Sequence, residues 1–92
     1  MVKEVRVSHI LVGSQEKAQE LLNKINTGYN FEKIAMEESK CPSRKRGGDL
    51  GWFTRGKMVR EFENAAVSTK KNELIIVKTQ FGWHIIKKTD EK

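Results

Sequence analysis

The chain has 92 residues, 37% of them apolar and 33% charged, with eighteen basic against twelve acidic side chains and a net charge of +6. This predicts one domain around one core, residues 1–92, rather than two cores or a disordered chain. No window approaches the roughly 18 consecutive apolar residues of a membrane span. The start, Met1-Val2-Lys3-Glu4-Val5-Arg6, has no apolar signal core, and the single cysteine cannot form an internal disulfide. Together these predict a cytoplasmic protein with no membrane contact, and a monomer is expected.

Val5, Val7, His9 and Leu11 share one parity, with Arg6, Ser8, Ile10 and Val12 on the other, which predicts a first strand whose two faces both become apolar toward its end. Gly13-Ser14 breaks it, and Ser14 is placed to cap a helix with Glu16 in the first turn. Ala18, Leu21, Leu22 and Ile25 follow amphipathic helical spacing until Gly28. Asn30 can cap a shorter helix that turns Phe31, Ile34 and Ala35 inward, and Cys41-Pro42-Ser43 ends the helical stretch. A basic, glycine-rich loop follows, Arg44-Lys45-Arg46-Gly47-Gly48-Asp49, then a short strand Leu50-Gly51-Trp52-Phe53 closed by Arg55-Gly56.

Met58, Phe62, Ala65 and Ala66 fall on one face of a third helix. Leu74 to Lys78 and Trp83 to Lys88 read as two strands around the turn Thr79-Gln80-Phe81-Gly82. The order is β-α-α-loop-β-α-β-β, an α+β domain with a small, mostly antiparallel sheet. The basic side chains at 44–46 and the group Lys87, Lys88 and Lys92 are expected to be solvated surface.

The chemistry open to these residues is narrow. Gly47-Gly48-Asp49-Leu50-Gly51 lacks the Gly-Lys-Ser/Thr ending of a phosphate-binding loop, and no dinucleotide motif is present. His9, His84, Cys41 and Asp49 offer ligand atoms for zinc, but no two share a short metal-binding spacing, so no metal is expected. A Cys–His hydrolase would use Cys41 as nucleophile, yet such enzymes need a larger scaffold for an oxyanion hole and cleft. The two histidines are the stronger lead, because each sits inside an aliphatic run near one end of the chain: Ser8-His9-Ile10-Leu11-Val12 and Trp83-His84-Ile85-Ile86. Strands carrying them could meet and form a site. Leu50, Met58, Phe62 and Phe81 could supply an apolar pocket beside it.

Six segments converge on one family: Ser8-His9-Ile10-Leu11-Val12, Cys41-Pro42-Ser43, Gly47-Gly48-Asp49-Leu50-Gly51, Arg55-Gly56-Lys57-Met58-Val59, Phe62-Glu63-Asn64-Ala65-Ala66 and Val77-Lys78-Thr79-Gln80-Phe81-Gly82-Trp83-His84-Ile85-Ile86. In that order they resemble a parvulin-type peptidyl-prolyl cis/trans isomerase reduced to its catalytic domain, over residues 5 to 88. The resemblance implies a four-stranded, mostly antiparallel sheet wrapped by about four helices, β-α3-β-α-β2, with the site on the concave side. It implies catalytic residues His9, Cys41, Thr79 and His84, the histidines paired on adjacent central strands. It also implies a proline pocket of Leu50, Met58, Phe62 and Phe81, no cofactor, and proline-containing polypeptides as substrates.

Departures from the family pattern refine the expectation. Phosphate-directed relatives carry a basic cluster after the first strand, where this chain has Gly13-Ser14-Gln15-Glu16-Lys17, so no phospho-specificity is expected. Arg44, Lys45 and Arg46 could instead form a substrate rim favouring acidic residues near the proline. Lys71-Asn72-Glu73 lacks the family's glycine, and Asn72 can adopt the left-handed conformation in its place. Leu74-Ile75-Ile76-Val77 raises the prospect of a sticky sheet edge. A proline-segment binding module with weak catalysis is the alternative from another class. Nucleic-acid binding is allowed by the charge, but Trp52 and Phe53 are expected in the core rather than stacked on bases.

Overall fold

The structure, a computed structural model, describes residues 3–92. Its elements are β1 (Glu4–Val12), α1 (Gln15–Asn26), α2 (Phe31–Glu38), a 3₁₀ turn (Pro42–Arg46), β2 (Asp49–Thr54), α3 (Arg60–Ser68), β3 (Leu74–Thr79) and β4 (Gly82–Glu91). All strand pairs are antiparallel, in the order β2-β1-β4-β3, so the first and last strands lie side by side in the middle. The α+β expectation holds, with the 3₁₀ turn as the third helical piece before β2.

Local chemistry starts each helix where the sequence places it. Ser14 Oγ accepts the Lys17 N–H at 3.1 Å and Asn30 Oδ1 accepts the Lys33 N–H at 2.9 Å, so α1 and α2 begin on side-chain caps. Asn72 stands at φ 69°, as a left-handed turn requires.

The sheet is covered on both faces. Ile10, Val12 and Ile85 pack against Ala18 and Leu21 of α1 and Phe31, Ile34 and Ala35 of α2. Val5, Val7 and Ile86 pack on the opposite side against Phe62, Ala65 and Ala66 of α3, with Phe53. β3 contributes to both, Leu74 and Ile76 to the first cluster and Ile75 and Val77 to the second. The expected sticky edge is thus half-buried on each face, though β3 pairs only with β4 and its other backbone edge is unpaired among the described residues.

Four expectations need correction. Met58 precedes α3: Val59 is extended (φ −61°, ψ 149°) and its carbonyl accepts the Glu63 N–H, so the first helical residue is Arg60. The start of the basic loop is instead the 3₁₀ turn, nucleated by Pro42 in its first turn. Trp52 is 37% exposed with Lys92 Nζ 4.6 Å from its ring centroid, because alternation on β2 sends Phe53, not Trp52, into the core.

Lys88 is not solvated surface but 1% exposed. Its parity with Ile86 directs it under the end of α3, where Nζ donates to the Val67 carbonyl at 3.0 Å and pairs with Glu91 at 2.7 Å. A cation there satisfies an orphan carbonyl at the helix's negative end.

Candidate active site

β1 and β4 pair with His9 opposite Ile86 and His84 opposite Leu11. The histidines are therefore diagonal neighbours on one face, the spacing at which long side chains meet. Both are buried, at 4% exposure. Their Nδ1 atoms lie 3.0 Å apart and their rings stack at 17° with centroids 5.1 Å apart. Phe62 of α3 stands edge-to-face on both rings, at 5.5 Å from His9 and 5.3 Å from His84.

Hydrogen-bond accounting assigns the tautomers. The buried Thr79 hydroxyl accepts the Phe81 N–H at 3.1 Å and lies 2.7 Å from His84 Nε2. If His84 Nε2 donated to Thr79 instead, two buried groups would lack partners, the hydroxyl proton and the His9 Nε2 lone pair, whereas the reverse direction leaves only one, the His9 Nε2 proton. Thr79 therefore donates to His84, and His84 carries its own proton on Nδ1 and donates to His9 Nδ1. His9 is left protonated at Nε2, an atom with no hydrogen-bond partner. Burial pushes the His9 pKa down to about 4, helped by its neighbour His84, and burial lowers that of His84 as well. Both rings are neutral at pH 7.

The pair forms the floor of an apolar cavity of about 350 Å³. Of the expected pocket residues, the structure brings Leu50, Met58, Phe62 and Phe81 together over the histidines, with Cys41 at the side. Phe81 is 63% exposed at the hairpin tip and forms an open rim. Leu50 reaches the pocket through a β-bulge: Val7 pairs with Gly51 and Ser8 with Asp49, so Leu50 is the extra residue and is re-aimed. Cys41 forms no side-chain hydrogen bond to either histidine among the described residues.

Arg44, Lys45 and Arg46 do not line the cavity. The 3₁₀ turn carries them outward, and Arg46 bends back to donate to the Asp49 carbonyl at 3.4 Å. Leu11, Lys40, Pro42 and Val59 line it unannounced. Leu11 had a signal in its shared parity with His9. Lys40 had none, because a charged residue outside a periodic segment carries no directional information.

Ser39 was also missed. Buried at 2% exposure, it accepts the Leu11 N–H at 3.0 Å and the Cys41 N–H at 3.3 Å, while the Lys40 N–H donates to the Leu11 carbonyl at 2.8 Å. Residues 39–41 are thereby stitched to the end of β1 beside the histidines.

The chain that builds this site is similar to proteins already known. A PrsA foldase of Bacillus cereus is 48% identical over 91 residues, covering 97% of this chain and 32% of that protein. The Bacillus subtilis PrsA foldase is 46% identical, covering 97% and 31%. The chain thus spans about a third of the length of these curated relatives.

Among solved structures, the Bacillus anthracis peptidylprolyl isomerase PrsA superposes with TM-score 0.96 at 42% identity, over 99% of this chain and 43% of that one. The parvulin of Nitrosopumilus maritimus superposes at 0.86 and 40% identity, over 96% and 97%. Residues 1–92 match the PPIC-type PPIase domain, and the chain belongs to that family, the parvulin-type peptidyl-prolyl cis/trans isomerases.

Proposed function

We propose that the domain accelerates X–Pro rotation in unfolded or flexible chains without phosphate selectivity, as a folding helper and as a monomer. The observation that carries this reading is the apolar cavity floored by two neutral, hydrogen-bonded histidines. Rotation about the imide faces a barrier of about 18–20 kcal/mol because the C–N bond is partly double. The planar imide is charge-separated and water stabilises it, whereas the twisted form has lost that separation. A pocket that grips the proline ring and excludes water removes the advantage of the planar form without breaking any bond.

The roles follow from position. Leu50, Met58 and Phe62 hold the ring, and Phe81 closes over it from the rim. His9 and His84 supply an uncharged polar floor, which does not favour the dipolar planar imide as a cation would. Thr79 is a positioning residue acting through His84. Cys41 stands beside the carbonyl of the residue preceding proline.

The segment after β1 supports the lack of phosphate selectivity: its one basic residue, Lys17 in the first turn of α1, is engaged by Glu20 at 3.7 Å and Glu38 at 3.5 Å. The foldase relatives support the folding role.

The test is cis-to-trans exchange of unphosphorylated proline peptides, with affinity measured in parallel. Wild type should accelerate exchange and His84→Ala should lose most of the effect, on the order of a hundredfold. Tight binding with no acceleration would instead identify a proline-segment binding module.

A further inference from the structure

We infer that Lys40 is a specificity-determining residue that selects an acidic side chain on the residue immediately before the proline. This rests on the proposed placement of the proline ring over His9 and His84 and of Cys41 beside the preceding carbonyl.

Lys40 is the only lysine, arginine or carboxylate among the residues lining the cavity. Its backbone is fixed, since its N–H donates to Leu11 O at 2.8 Å and the adjoining Ser39 accepts from Leu11 and Cys41. Its side chain is exposed and runs over Gly13, with Nζ only 3.0 Å from where a Cβ on that residue would stand; glycine there leaves the lysine its path. No ion pair among the described residues engages it.

A lysine next in chain to Cys41 reaches the side chain of the residue whose carbonyl Cys41 faces. The apolar walls and neutral histidines offer that lysine no counter-charge, so a substrate carboxylate can supply it. Lys40, not the outward-facing Arg44–Arg46 group, then accounts for any preference for acid.

The experiment compares Ala-Xaa-Pro-Phe amides with Xaa glutamate, glutamine or lysine, by exchange rate and by titration calorimetry. At low salt wild type should favour glutamate over glutamine by about fivefold in kcat/KM, as an exposed ion pair allows. The ratio should shrink toward one in 0.5 M NaCl, where the Debye length is a few ångströms. In Lys40→Met the ratio should be near one at any salt, and in Lys40→Glu the preference should pass to the lysine peptide. In an Arg44→Met, Lys45→Met, Arg46→Met variant the glutamate preference should persist.

Equal rates for glutamate and glutamine in wild type would overturn the assignment. So would a preference that survives Lys40→Met or vanishes in the triple variant. If no peptide is accelerated, the isomerase reading falls separately, and the glutamate-to-glutamine affinity ratio decides the role of Lys40 by the same criteria.

Discussion

The hydrogen bonds that link Phe81, Thr79, His84 and His9 run in one direction, from a backbone N–H at the hairpin tip to a ring nitrogen at the floor. Each donor is set by the one before it, so removing the hydroxyl frees both imidazoles to change tautomer. Thr79→Val keeps the shape and should lower kcat/KM about tenfold, equivalent to about 1.4 kcal/mol. Thr79→Ser should restore most of it. The check that separates positioning from packing is the nitrogen-15 spectrum of the imidazoles: His84 should show its proton on Nδ1 in wild type and a mixture of tautomers in Thr79→Val. An unchanged spectrum with reduced activity would mean that the hydroxyl acts in some other way.

Among the elements, β1 and the 3₁₀ turn are locked together at Gly48. The His9 N–H donates to the Gly48 carbonyl at 2.9 Å, and the Gly48 N–H donates to Ser43 O at 2.9 Å. Gly48 sits at φ 89°, and a Cβ there would collide with the His9 carbonyl and lie 3.3 Å from Ala35 Cβ. Gly48→Ala should therefore cost about 3 kcal/mol, combining left-handed strain with the collision. That corresponds to a fall in Tm of more than about 10 °C for a domain of this size. Gly51→Ala meets only the strain, since φ is 75° but the space is open, and should cost about 1 kcal/mol. Comparable losses for the two, read by thermal melting, would disprove the close-contact account.

The sequence makes Gly48 visible as a glycine but not as a contact, and the same divide runs through the site. His9, His84, Phe62 and Thr79 were legible because strand and helix periods assign faces, and the family pattern then groups those faces. Helical spacing assigns Met58 to α3 because it extends by arithmetic past Val59, the N-cap at which the helix begins. Leu50 enters by a bulge, which breaks strict alternation. The orientations of Lys40 and Lys88 depend on carbonyls and backbone segments distant in sequence, and no local period encodes them.

For the whole molecule, the buried pair ties stability to pH. An unfolded histidine takes up a proton near pH 6.5, whereas His9 in the native state does so only at about 4. Between those values the unfolded chain binds more protons, so stability falls as pH is lowered through the window. The loss from His9 should approach about 3 kcal/mol below pH 4, and His84 adds in the same direction. Asp49, whose carboxyl is held below its usual range first by the Arg6 hydrogen bond, extends the decline at still lower pH. Urea midpoints should be flat above pH 7 and drop steadily from pH 6.5 to 4, with a shallower drop in His9→Leu. A midpoint that does not move over that range would show that the histidines are not held neutral.

The central pairing of first and last strands has another consequence. The Lys3 N–H donates to Lys92 O at 2.7 Å and the Lys92 N–H to Glu4 O at 2.9 Å, so both ends of the described chain leave from one corner. The opening over Leu11 and His84 lies at the far end of the same two strands, roughly 20 Å away. A domain wired in this way is a cassette: it can be spliced into a longer polypeptide as a side branch on a two-stranded stem. The host chain would be handled at one pole and the client chain at the other, with neither crossing the other's path.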